Sequence, residues 1–165
     1  MDTLVGEPII GSLASKVYGS IITIPLLFLG SAKILPAHPL HQEMKEGFVQ
    51  HHTVVWGLPP ALGDLWRWMI GLTELGSVVL MHLMWYDSVP TLVLSVIGPM
   101  LWVGITMGGT LTHILCDDPA PAKPFCGTVC VLNVVQLVLR VLYAGESITA
   151  DATHTRLYHI LVVLT

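Results

Sequence analysis

Four apolar runs separated by short polar breaks organise the chain. They cover 12–35, 63–85, 91–115 and 125–143. Each has the roughly 20 mainly apolar residues that a spanning helix needs. The pattern predicts an all-α fold: an integral membrane four-helix bundle, multi-pass and forming one membrane domain over 1–165. A connector follows the first run at 36–62 and a tail follows the last at 144–165. The second run is the central one, because Glu74 sits near its middle. A carboxylate at that depth faces protein rather than lipid, so the other helices are expected around it.

Small residues mark the expected contact faces. Gly11, Ser15, Gly19 and Thr23 recur every four residues in the first run, and Gly104 and Gly108 form a GxxxG pair in the third. Such stripes let a second helix approach closely. Pro25 and Pro99 interrupt the hydrogen-bond ladders of their helices. Lys33 ends the first run, where an ammonium can snorkel to the headgroups. In the connector, Pro39 opens a short interfacial helix, with Leu40, Met44 and Phe48 on one face and Glu43, Lys45 and Glu46 on the other. Trp66 and Trp68 fit an interfacial aromatic belt. In the last run Asn133, Gln136 and Arg140 share a face that should point inward. The strip 156–164 is too short to span and reads as a surface segment of the tail.

Composition sharpens this picture. Of 165 residues, 53% are hydrophobic and 11% charged, against about 25% charged in soluble domains. Mean hydropathy is +0.74. Net charge is −4, without a basic block, which disfavours nucleic-acid binding. Residues 1–8 hold two acids and no Lys or Arg, unlike a secretory or transit peptide. Both termini are expected on one side of the bilayer, and the connector and the CDDPAPAKP break (116–124) on the other. The Lys and Arg residues divide four to three in favour of the connector side, too even to orient the chain.

Candidate chemistry is sparse. His82 and His113 close the second and third runs at opposite ends, about one bilayer core apart, so they cannot share a haem iron. Glu74 lies about 15 Å deep, counted along its helix from the connector side. Arg140 is the best cation for it, although it enters from the other side, and Arg67 could reach it through a water. Two readings of Glu74 stay open: a polar clasp that fixes packing, or a carboxylate that handles protons or binds a headgroup. His38, His41, His51 and His52 read as solvated loop histidines. No pair lies at i, i+4 and no Cys or Asp completes a ligand set, so no metal is expected. Cys116, Cys126 and Cys130 make no disulfide framework and read as free thiols. No phosphate loop, HExxH or nucleophile elbow occurs, and no catalytic residues are assigned.

Several motifs nevertheless resemble a known family. FLGSAKILP (28–36) is similar to the G-x-x-K-hydrophobic-x-P signature that ends the first helix of DoxX-like membrane proteins. QEMKEGF (42–48) resembles the helix that follows in the branch containing the nicotinic-receptor assembly chaperone. IGLTELGSVVLM (70–81) is similar to the family's I-G-x-x-E segment, LTHILCDDP (111–119) to its third-helix end, and LVLRVLY (137–143) to its last helix. The resemblance implies a four-helix membrane bundle in which Lys33, Glu74, His113 and Arg140 form a polar intramembrane cluster. The expected role is a non-enzymatic accessory, scaffold or assembly subunit of a larger membrane complex, in an organellar inner or other energy-converting membrane. Its partners would be the bilayer and other membrane subunits. The alternatives are a quinone-linked oxidoreductase subunit and, third, a small transporter. Beyond a bound lipid or quinone no cofactor is expected.

Overall fold

Helices account for nearly all of the residues described, which are 9–86, 89–118 and 124–143 of a computed structural model. α1 spans Ile9–Ile34 and α2 His41–Trp56. α3 spans Pro60–His82, followed by a 3₁₀ turn at Leu83–Trp85. α4 spans Val89–Leu115 and α5 Pro124–Tyr143. No strand occurs among the described residues. The tail with its 156–164 strip, and most of the polar break, lie outside them.

Proline and glycine set the boundaries. α1 stops two residues before Pro36, because the residue preceding a proline disfavours helical ψ. α2 ends at Gly57, whose left-handed φ of 60° carries no Cβ penalty. Pro60 opens α3 at the first helical position, where a missing N–H costs nothing.

Burial is inverted relative to a water-soluble protein. Ser15, Thr23, Lys33, Arg67, Glu74, Ser77, Ser95, Thr106, Asn133, Gln136 and Arg140 are buried. Leu13, Ile21, Ile24, Leu72, Val79, Met107, Ile114, Val131 and Leu142 are exposed. It is the arrangement that hydrocarbon favours, where large apolar side chains lose nothing by facing lipid tails and polar groups must find partners inside. α1, α4 and α5 each contain a stretch long and apolar enough to cross a membrane, Leu13–Ile34, Leu92–Leu115 and Pro124–Tyr143. α3 has 23 residues but carries Asp64, Arg67 and Glu74, and is not among these three.

α3 packs against α1, α2 and α4. Its buried residues Gly63, Arg67, Gly71, Glu74, Ser77, Val78 and Met81 recur every three or four positions, one face of a helix. An apolar cluster ties all four long helices together: Ile22 and Leu26 of α1, Val78 and Met81 of α3, Trp102 of α4 and Val129 of α5. At one end, the Lys16 ammonium of α1 lies over the rings of Trp85 and Tyr143, 5.7 and 5.9 Å from their centroids. The start of α1 therefore shares that end with the ends of α3 and α5. α2 and the turn after α4 meet at the opposite end.

α2 differs from its expectation as a short interfacial helix flanked by solvated histidines. It runs for 16 residues and lies against the first turns of α3. A Cβ at Gly63 would stand 3.0 Å from the Val49 Cα, so the missing side chain lets the two backbones close. His52 is buried in this contact. Its ring stacks on Phe48, with centroids 5.8 Å apart. His41 Nδ1 lies 3.0 Å from the Ala32 carbonyl oxygen, and the His38 ring meets Phe28 edge-on. An imidazole supplies both an apolar face and a hydrogen-bonding edge, and three of these histidines spend one or the other on neighbours.

The small-residue faces divide as well. Ser15 is fully buried, and a Cβ at Gly19 would stand 2.5 Å from Arg140 Nη2 and 2.7 Å from the Gln136 amide. This is the close contact of α1 with α5. Gly104 and Gly108 depart from expectation, since an added Cβ at either would meet nothing within 4 Å among the described residues. The intimate glycine of α4 is Gly98, whose Cβ would stand 2.6 Å from the Ser77 carbonyl oxygen of α3. Spacing marks a face of small residues; it does not say which side of the helix the neighbour occupies. Gly11 lies in the first turn of α1.

Candidate functional site

Two glycines build the ionic centre. Lys33 follows Gly30 by three residues on α1, and Glu74 follows Gly71 by three on α3. The helices run antiparallel here, so each glycine faces the other helix's ion-bearing residue. A Cβ at Gly71 would stand 2.9 Å from the Lys33 Cβ, and one at Gly30 would stand 3.3 Å from the Glu74 Cβ. At this separation Lys33 Nζ donates to both Glu74 carboxylate oxygens, at 2.9 and 2.7 Å. It also donates to the Leu29 carbonyl at 3.3 Å and lies 5.8 Å from the centre of the Phe48 ring. The two side chains are only 8% and 3% exposed.

The pairing corrects two expectations. Lys33 turns inward instead of snorkelling, because Glu74 offers both oxygens one helix away. Glu74 also stands nearer the end of its neighbour α1 than a count along its own helix suggests. It lies level with Gly30, four residues from the end of α1, or about 6 Å at the helical rise. α3 runs well past that end, and its first turns, with Asp64 and Arg67, pack under α2. A helix-by-helix count misses this offset because it starts every helix at the same plane.

Neither arginine reaches Glu74. Arg67 donates to Asp64 through Nε at 2.9 Å and Nη2 at 2.8 Å, a pair one turn apart on the same helix. Arg140 lies at the α1–α5 contact. With the Gln136 amide turned so that its oxygen faces the guanidinium, that oxygen accepts from Arg140 Nη2 at 2.8 Å and also from Nε. Among the described residues, Ser15 Oγ, Arg67 Nη1, Trp102 Nε1, Asn133 Oδ1 and Arg140 Nη1 are buried without a hydrogen-bond partner.

His113 forms a third centre, apart from both. Its Nδ1 lies 2.6 Å from Asp118 Oδ2, and His51 Nε2 lies 2.8 Å from the same oxygen. The two rings stand nearly perpendicular, at 87° with centroids 5.1 Å apart. The turn after α4 positions the carboxylate. Asp117 takes a left-handed φ of 51°. Its N–H donates to Ile114, and the Asp118 N–H to His113, at 3.2 and 3.1 Å. These are the two hydrogen bonds of a Schellman C-cap, with aspartate in the place usually held by glycine. The hydrogen bond from His113, with lesser help from the His51 and His113 charges, outweighs burial and holds the Asp118 carboxyl below the usual carboxylate range. Burial, reinforced by the Asp118 charge, raises the Cys116 thiol. Cys116, Cys126 and Cys130 are free thiols.

The four polar residues expected to converge thus fall in three places: Lys33 with Glu74, Arg140 with Gln136, and His113 with His51 and Asp118. The last grouping was missed because 62 positions separate His51 from His113, a spacing that no motif encodes. Comparison of the chain with family models, curated proteins and solved structures returns no match.

Proposed function

We propose that this chain is a multi-pass integral membrane protein, with α1, α3, α4 and α5 as a four-helix bundle capped at one end by α2. In this reading it serves as a non-enzymatic accessory or assembly subunit of a larger membrane complex. The Lys33–Glu74 pair carries the proposal. Its charges are spent on each other across a glycine-lined crossing, which is the chemistry of a packing clasp rather than of a group waiting for substrate. The G-x-x-K and I-G-x-x-E motifs behind the resemblance to DoxX-like proteins meet at that crossing, which supports grouping the chain with them. The exposed apolar side chains of α1, α4 and α5 suit contact with lipid and with other membrane subunits.

The test is the native mass after gentle detergent extraction, with co-purifying proteins and lipids identified. Migration within an assembly of fixed composition is the expected result. A free particle carrying one quinone per chain refutes it and supports a quinone-linked oxidoreductase subunit. One observation favours that second reading: the orphaned donors Ser15 Oγ, Trp102 Nε1 and Arg140 Nη1 could hydrogen-bond a carbonyl headgroup.

A further inference from the structure

We infer that His51, His113 and Asp118 form a binding site for one divalent transition-metal ion, with Zn²⁺ the best match. Their ligand atoms all lie within 4.8 Å of one another. Zinc takes imidazole nitrogen and carboxylate oxygen at about 2.0–2.2 Å in tetrahedral geometry, so neighbouring ligand atoms should stand about 3.4 Å apart. The contacts from Asp118 Oδ2 to the two imidazoles, at 2.6 and 2.8 Å, are hydrogen bonds. Opening them to that spacing lengthens the contacts by about 0.8 and 0.6 Å, an outward swing of the carboxylate. The rings do not stack but stand nearly perpendicular, each aiming one ring nitrogen at the same Asp118 oxygen.

The donor set selects the ion. Two imidazoles and one carboxylate suit zinc and its borderline neighbours, whereas calcium and magnesium prefer oxygen alone. Three protein ligands leave a fourth position for water or for a group from outside the chain. The side chains are 17%, 22% and 21% exposed, open enough for an ion to enter and shielded enough to hold it. Each ligand is independently anchored. His51 rides on α2, His113 on the last turn of α4, and Asp118 on a turn that accepts a left-handed aspartate to aim its carboxylate at His113. Besides that carboxylate swing, binding requires a tautomer exchange, in which each coordinating nitrogen gives up its hydrogen and the other ring nitrogen takes one. The bound ion ties α2 to the end of α4, two elements that otherwise touch sparingly.

Full-length protein, purified with a tag that lacks histidine and reconstituted in nanodiscs, should be titrated with Zn²⁺ by equilibrium dialysis. Co²⁺ serves as a spectroscopic probe of coordination. We expect one ion per chain, with intense tetrahedral Co²⁺ bands. Each of His51→Gln, His113→Gln and Asp118→Asn should weaken binding by at least about tenfold, the lower end of what ligand-shell changes cost. His82→Ala, at the far end of α3, should bind like wild type. Circular dichroism and a single size-exclusion peak confirm that the near-isosteric variants fold. Substoichiometric binding by wild type, or equal binding by the folded triple variant, overturns the assignment.

Discussion

Replacing Lys33 by methionine tests the ionic centre most directly. The ammonium contacts both Glu74 oxygens at 2.7–2.9 Å, and neither side chain is more than a tenth exposed, so solvent screens the pair weakly. At an effective dielectric of about 20, unit charges about 2.8 Å apart attract by about 6 kcal/mol. The cost of desolvating both groups cancels much of this in the intact pair, but removing one partner leaves the other buried alone. Lys33→Met should therefore cost about 3–5 kcal/mol. Lys33→Met/Glu74→Leu removes both charges and should recover most of that loss. The assay is equilibrium unfolding in mixed micelles at rising SDS fraction, followed by tryptophan fluorescence and analysed as a double-mutant cycle. A single-variant cost under about 1 kcal/mol, or additive losses in the double variant, would refute the clasp.

Other substitutions probe the packing around it. Gly71→Ala places a methyl 2.8 Å from Ile34 Cγ1 and should cost about 1–3 kcal/mol more than Gly104→Ala in the same unfolding assay. Gly104→Ala meets open space and should be neutral or stabilise by up to about 1 kcal/mol through helix propensity. Trp102→Ala empties the centre of the four-helix apolar cluster and should cost about 3–5 kcal/mol, read as a lower SDS midpoint. Gly57→Ala must adopt φ near 60° and should cost about 1–2 kcal/mol, read as a lower melting temperature.

The helical segments were legible because hydrophobic runs of spanning length need no tertiary information to be seen. Their expected ends, 35 and 115, fall within a residue of the observed ones for α1 and α4. The inward placement of Asn133, Gln136 and Arg140 was legible too, since i, i+3, i+7 spacing fixes a common face. The partner of Glu74 was not. Lys33 looked like an end-of-helix snorkelling residue, and nothing local reveals that α3 overshoots α1 by several turns. α2 was under-read because its histidines and glutamines lower its apolar signal, although Phe48, Val49 and His52 form its packing face. The His51–His113–Asp118 group depends on a turn geometry and a helix contact that exist only in the folded chain.

The clasp also sets a schedule for biosynthesis. Lys33 and Glu74 are 41 residues apart, so at about 5–20 residues per second the lysine waits several seconds for its carboxylate. An unpaired ammonium is costly within hydrocarbon, and for that interval the headgroup region is where Lys33 can rest. In the membrane reading proposed above, α1 would then enter the bilayer in a shallow, provisional position and settle to its final depth only when α3 arrives. On that reading, insertion of the first helix and insertion of the helix bearing Glu74 would be one coupled event, and a ribosome stalled between residues 34 and 74 would leave α1 only partly committed to the membrane.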